Sequence, residues 1–196
     1  MNLVDRVKKI LMNPKEEWVV ISQETTTVTQ LFTGYLLILA LIPAIAQFIR
    51  WGFLGYSIPF GGHISGSIEL GIRYAIMGYI SSILVVFISA FVIDLLATSF
   101  GSQKNFTKAM QLVVFSYTPM FIAGIFQMIP GLSILGIVGL YGLYLLYIGL
   151  TPMMQTPEDK IVGYFVVSLL VIIVTYFLLA LILSALFVST ALMTSM

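Results

Sequence analysis

The chain has 196 residues, 60% of them hydrophobic and only 9% charged, with a mean hydropathy of +1.08. Soluble domains carry roughly 25% charged residues, so a fold whose surface faces water is excluded and lipid is the remaining solvent. The net charge of +1 points to no nucleic-acid partner, and the absence of cysteine excludes disulfides, thiolate nucleophiles and thiolate metal sites.

The first residues are too polar for a secretory leader, and the first long apolar run begins only near Leu31. Residues 2–12, NLVDRVKKILM, put Leu3, Val4, Val7, Ile10 and Leu11 on one helical face and Asp5, Arg6, Lys8 and Lys9 on the other. This predicts a short basic amphipathic helix that either lies flat on an anionic membrane surface or packs on its own protein. Asn13-Pro14 ends it and starts another helix, with Asn13 as cap, Pro14 at the first position and Glu16 as the capping-box acid. Trp18 suits the headgroup level, where an amphipathic ring meets both solvents. Arg6, Lys8, Lys9 and Trp18 are therefore the candidate membrane-surface residues, in a cytoplasmic amphipathic and interfacial segment over 1–30. Residues 31–196 form the transmembrane domain.

Span one is expected over 31–50, with Pro43 inside it. Residues 52–71 are broken by Gly and Pro yet apolar for a loop; they dip into the membrane or lie over the bundle. Span two is expected over 72–98, span three over 106–127 with Pro119 inside it, span four over 131–150, and span five from Ile161 to about Ser189. The fold class is thus all-α: a polytopic five-transmembrane-helix bundle behind a short amphipathic N-terminal helix. No internal repeat is visible, so an inverted-repeat transporter gains no support.

Charge sets the orientation. Arg6, Lys8, Lys9, Lys15, Lys104, Lys108 and Lys160 fall on one side of such a bundle, and only Arg50 and Arg73 on the other. The positive-inside rule then puts the N-terminus in the cytoplasm and the C-terminus outside.

Few residues invite chemistry. Asp94 is an acid in a span, but at 1.5 Å per residue from residue 72 it lies roughly 33 Å down, near the cytoplasmic interface. Asp94 precedes Gly101 by seven residues and Lys108 follows it by seven, so a tight hairpin brings them to one depth and predicts an Asp94–Lys108 contact, direct or water-bridged, as a structural clasp or an ion-handling site, unless Asp94 simply reaches water. Tyr117 and Thr118 of span three, with Tyr144 and Tyr147 of span four, either pack and anchor their helices or line a polar groove toward the cytoplasmic half. Gly136, Gly139, Gly142 and Gly149 allow close helix contact in span four, as do Ala180 with Ser184 and Ala185 with Ser189 in span five. His63, the only histidine, has just Glu69 near it in sequence and forms no metal or triad pattern. In TPMMQTPEDK, 151–160, Thr156 and Pro157 suit the cap and first position of span five, with Glu158 and Asp159 at its positive end.

Three stretches resemble the Yip-domain family of multi-span membrane proteins: NPKEEW at 13–18, FGSQKNFTKAMQLVVFSYTP at 100–119, and YGLYLLYIGLTPMMQTPEDKIVGY at 141–164. The resemblance implies five spans and a cytoplasmic N-terminus. It also implies trafficking roles for eukaryotic members, with Rab-type small GTPases and other family members as partners. The short tail here departs from the longer cytoplasmic region of eukaryotic members. That argues against small-GTPase binding and for a prokaryotic member in the cell membrane. The family offers no catalytic residues to carry over.

The expected function is a non-enzymatic membrane protein that binds or organises lipids or protein partners, including further copies of itself or another membrane protein. The alternative is a small transporter, channel or lipid-moving protein with a polar route near Asp94. No cofactor or metal is expected, and an enzyme is disfavoured because Asp94 lies opposite His63 and Glu69 in this topology.

Overall fold

The computed structural model describes residues 2–57 and 62–194, and the side chains of these except at 56, 57, 63, 64, 180 and 182–194. The fold is all-α, with two short N-terminal helices and, among the described residues, five stretches long and apolar enough to cross a membrane. Helix α1 is Leu3–Met12 and α2 is Pro14–Gln23. The spans are Val28–Leu54, Ile68–Phe100, Phe106–Met128, Pro130–Met154 and Glu158–Leu179. The helix of span five itself runs Ile161–Thr194.

Capping lengthens several spans beyond their apolar runs. Thr27 Oγ1 accepts from the Gln30 amide at 3.2 Å, and Gln30 Oε1 accepts from the Thr27 amide at 3.1 Å. This reciprocal box starts span one three residues before the apolar run. Ser67 caps span two and Asn105 caps span three in the same way, through side-chain oxygens. Span two thereby reaches 33 residues, roughly 50 Å of helix, so part of the bundle's length lies outside a hydrocarbon layer of about 30 Å.

Span three is the hub. Its residues Ala109 to Ser116 are all buried, with spans one, two and four packed against it and span five closing against two and four. The two prolines expected inside spans, Pro43 and Pro119, have a structural account. An added Cβ at Gly124 of span three would lie 2.6 Å from Pro43 Cβ, so the proline ring of span one nests against a bare backbone. Pro119 stands at the start of a second helical piece, Thr118–Ala123, after a break at Tyr117 where the proline cannot donate. The first half of span four, Pro130–Leu140, is wound as a 3-10 helix.

The segment 52–71 does not supply a span among the described residues. Its described part makes a two-residue antiparallel pairing, Tyr56–Ser57 with His63–Ile64, the only strand contact among the described residues. The Ser67 amide donates to the Trp51 carbonyl at 3.0 Å, so the returning chain lies against the end of span one. Residues 58–61, the side chain of His63 and the Ala180/Ser184 and Ala185/Ser189 pairs lie outside what is described. At this end Trp51 stacks on Tyr74 at 4.2 Å and Arg50 donates to the Gln127 carbonyl at 3.2 Å. The other end carries the turns with Lys104 and Lys160 and is called the basic end below.

Candidate functional site

The most elaborate polar arrangement lies where α1 and α2 meet the basic end. Asn2 caps α1 through its side chain, and Asp5 and Lys9 sit at the helix ends that favour their charges. Asn13 and Pro14 start α2 as the sequence suggests, but Asn13 makes no side-chain cap; its amide donates to Glu16 Oε2 at 3.4 Å instead. The turn folds α2 back on α1, which brings Glu17 to Arg6.

Arg6 and Glu17 are each only 5% exposed. The Arg6 guanidinium donates through one nitrogen to Glu17 and through the other to Glu24, and its Cζ lies over the Phe115 ring, 5.5 Å from the ring centre. A planar fork of fixed charge suits this triple role in a way an ammonium would not. Trp18, 1% exposed, sets its edge toward Phe115 and lies in a notch of span four. A Cβ added at Gly149 would come within 2.8 Å of the Trp18 ring and 2.5 Å of Leu112, so only glycine admits the indole. Lys108 Nζ donates to the carbonyls of Ser22 and Glu24 at 2.7 and 3.2 Å. These belong to the C-terminal end of α2, where a cation satisfies free carbonyls and opposes the negative pole. The Tyr141 hydroxyl donates to the Leu11 carbonyl at 3.2 Å. Tyr141 lies 13 residues before Met154 in span four, so the end of α1 sits roughly 20 Å along that helix from its basic end. The hairpin is wedged between the spans rather than laid across their ends.

This arrangement corrects two of the four membrane-surface candidates. Arg6 and Trp18 point inward, because two carboxylates and a glycine notch await them; Lys8 and Lys9 are exposed. It also corrects the Asp94–Lys108 contact in its direct form. No ion pair joins these residues, since the Lys108 ammonium is turned to the end of α2. Asp94 is 7% exposed, and its Oδ1 has no hydrogen-bond partner. Equal depth fixes height along a hairpin, not the direction a side chain faces.

The four residues of the proposed polar groove go separate ways. Tyr117 shares a hydrogen bond with Ser89 of span two at 3.2 Å, and Thr118 shares one with Tyr35 of span one at 2.8 Å. Tyr144 and Tyr147 are exposed, the first beside Tyr141 and the second edge-on to Phe165. What opens between spans three, four and five is a cavity of about 50 Å³ lined by Ser116, Tyr117, Gly139, Gly142, Leu146 and Leu169, room for a few waters at most.

Gln111 escaped the sequence reading. It is fully buried in span three, with neither amide atom hydrogen-bonded. The only signal was one amide inside the run KAMQLVVF, and a lone amide in an apolar helix has no address without its neighbours. Thr156 also reverses its expected role. Its hydroxyl donates backward to the Leu150 carbonyl at 3.1 Å and accepts from Ser102 Oγ at 2.9 Å. It therefore closes span four and ties the two basic-end turns together, while Pro157 takes the cap position of a 3-10 turn, Glu158–Lys160. Among the described residues, no group of three His, Cys, Asp or Glu side chains gathers to hold a metal.

A family model described as Yip1 domain matches residues 8–182. The chain is 25% identical over 121 residues to the Inner membrane protein YohC of Escherichia coli strain K12, and equally to that of strain CFT073. Each alignment covers 62% of this chain and 62% of the relative. No solved structure matches the chain.

Proposed function

We propose, from the premise that this chain belongs to the Yip1 domain family, that it is a non-enzymatic membrane protein which gathers anionic lipid at its basic end through the α1–α2 hairpin. One observation carries this reading: the Arg6–Glu17–Glu24 cluster faces inward, while the hairpin's other bases, Lys8, Lys9 and Lys15, face out. Val4, Lys8 and Met12 are exposed at four-residue steps on α1, as are Lys15 and Val19 on α2. Basic groups alternating with apolar ones suit the boundary between headgroups and acyl chains. In this reading residues 1–30 act as the lipid-facing module and 31–196 as the domain that holds it. The N-terminus is cytoplasmic, the C-terminus outside, and the site is the cell membrane. The seven-to-two segregation of bases and the relatives' name as inner membrane proteins support this. Copies of the chain or another membrane protein can share the exposed faces of the spans.

The test is phosphatidylglycerol retention. Each exposed base near an anionic surface contributes about 1 kcal/mol, so Lys8→Gln/Lys9→Gln/Lys15→Gln is expected to lower retention from mixed nanodiscs by roughly a hundredfold in affinity. Equal retention by the triple variant rejects the reading. Labels on the two termini accessible from one compartment would reject the orientation.

A second reading, a polar route for a small solute or ion, rests on Asp94 and Gln111. Both are buried in packed neighbouring spans with polar atoms unpartnered, and an uncommitted acid in a span is a functional hypothesis by default. Liposome flux that disappears in Asp94→Asn would favour it over lipid organisation.

A further inference from the structure

At the end opposite Lys104, spans one and two touch backbone to backbone. A Cβ at Gly71 would lie 2.8 Å from Gly52 Cα. Toward the basic end the Tyr79 hydroxyl donates to the Leu37 carbonyl at 3.2 Å and pins the same two helices again. Between these two clamps the small side chains of Ala44 and Ala75 leave a gap. The result is a groove of about 450 Å³ with an entirely apolar lining and Leu41, Ile45, Ile76 and Ile80 as exposed rims. Its volume falls within the roughly 300–1,000 Å³ of small-molecule sites.

The groove has a charged head. Arg73 stands three residues before Ile76 and seven before Ile80, on the same strip of span two. One turn further toward the helix start, Glu69 Oε1 lies 3.7 Å from Arg73 Nη2 and is 82% exposed. From Arg73 to Ile80 is about 10 Å along the helix. Cation, then anion, stand above an apolar slot that faces the lipid.

We infer that this groove is a binding site for one zwitterionic glycerophospholipid, with an acyl chain in the slot, the phosphate on Arg73 and the headgroup ammonium on Glu69. The guanidinium is the better phosphate partner of the two basic side chains. The carboxylate beside it disfavours an anionic headgroup and suits a headgroup that carries its own cation. A second copy of the chain seated here would have to bury Glu69 and Arg73, whereas a lipid leaves both at headgroup level. The site deepens the lipid-binding reading but stands at the opposite end from Lys8, Lys9 and Lys15.

The experiment is native mass spectrometry of the delipidated full chain in mild detergent, titrated with phosphatidylethanolamine or phosphatidylglycerol. One phosphatidylethanolamine per chain is expected to bind ahead of phosphatidylglycerol. Ala75→Phe, which fills the slot, and Ile80→Trp, which narrows it from the rim without touching the floor, each lower that affinity about tenfold. Glu69→Gln abolishes the preference between the two lipids. Lys8→Gln/Lys9→Gln/Lys15→Gln leaves all of this unchanged, which keeps the site separable from the hairpin. Equal affinity for both lipids in the unaltered chain overturns the inference, as does undiminished binding in both filling variants. So does efficient disulfide dimerisation of an Ile76→Cys chain in bilayers, which would mean that a second copy covers the groove.

Discussion

Replacing Arg6 by methionine tests what holds the N-terminal hairpin in place. The two carboxylates left behind are not equivalent. The Glu17 side chain is 7% exposed and the Glu24 side chain 33% exposed. Stranding a buried charge costs about 3–5 kcal/mol, whereas a pair one-third open to solvent contributes about 1 kcal/mol at most. The cation over Phe115 adds roughly 0.5–2 kcal/mol, part of which the methionine thioether recovers against the same ring. Even the low end of these terms, about 3 kcal/mol, raises the undocked fraction roughly a hundredfold. The chain has no cysteine, so Ile21→Cys, at a position with no exposure, reports undocking as maleimide labelling. Labelling is expected to accelerate by about two orders of magnitude when Arg6→Met is added, provided opening is fast relative to reaction. Adding Glu17→Leu should recover most of the protection, because a buried pair exchanged for apolar groups is often neutral. Labelling unchanged by Arg6→Met refutes the argument. A double variant as labile as the single one means that lost packing, not lost charge, released the hairpin.

Gly149→Ala pushes a methyl into Trp18 and Leu112, and overpacking of this kind costs about 1–3 kcal/mol. A lowered unfolding midpoint in detergent, with Trp18 fluorescence shifted to the red, is the expected outcome. Tyr141→Phe removes one neutral hydrogen bond to the Leu11 carbonyl, worth about 0.5–1.5 kcal/mol. It should speed labelling at Ile10→Cys no more than about tenfold, well short of the Arg6 effect. Thr156→Val leaves Ser102 Oγ without its acceptor and frees the Leu150 carbonyl, costing about 1–3 kcal/mol. Hydrogen exchange at the Gln103 amide, which donates to the Met154 carbonyl, should rise with it.

The five crossings were legible because charge segregation and apolar length are properties of the chain itself. Close packing by Gly139, Gly142 and Gly149 was legible for a similar reason: absent side chains are visible in a sequence, and the structure sets these three against span three, whereas Gly136, expected with them, has no atom within 4 Å of where its Cβ would stand. What could not be read was direction. The apolar face assigned to α1 included Val4, yet Val4 is 54% exposed and Arg6 is buried. The true buried face is centred on Arg6 and Ile10, because Glu17 and Glu24, 11 and 18 residues away, make an arginine acceptable there. A helical wheel drawn on one helix holds no record of partners on the next. The same gap misdirected Lys108, whose acceptors are backbone carbonyls with no residue-type signature. It also misdirected Thr156, whose hydroxyl fits the end of one helix as readily as the start of another.

The wedge formed by α1 and α2 has a consequence for biogenesis. Its seat includes Tyr141 and Gly149, so a hairpin made before any of the five crossings depends on a contact 130 residues downstream. At roughly 5–20 residues per second, that is on the order of 10 seconds during which Arg6 and Trp18 have no finished pocket. The nascent amphipathic hairpin must wait at the membrane face, then withdraw into the assembly once the fourth crossing arrives. A segment made ahead of every crossing is among the last to find its place.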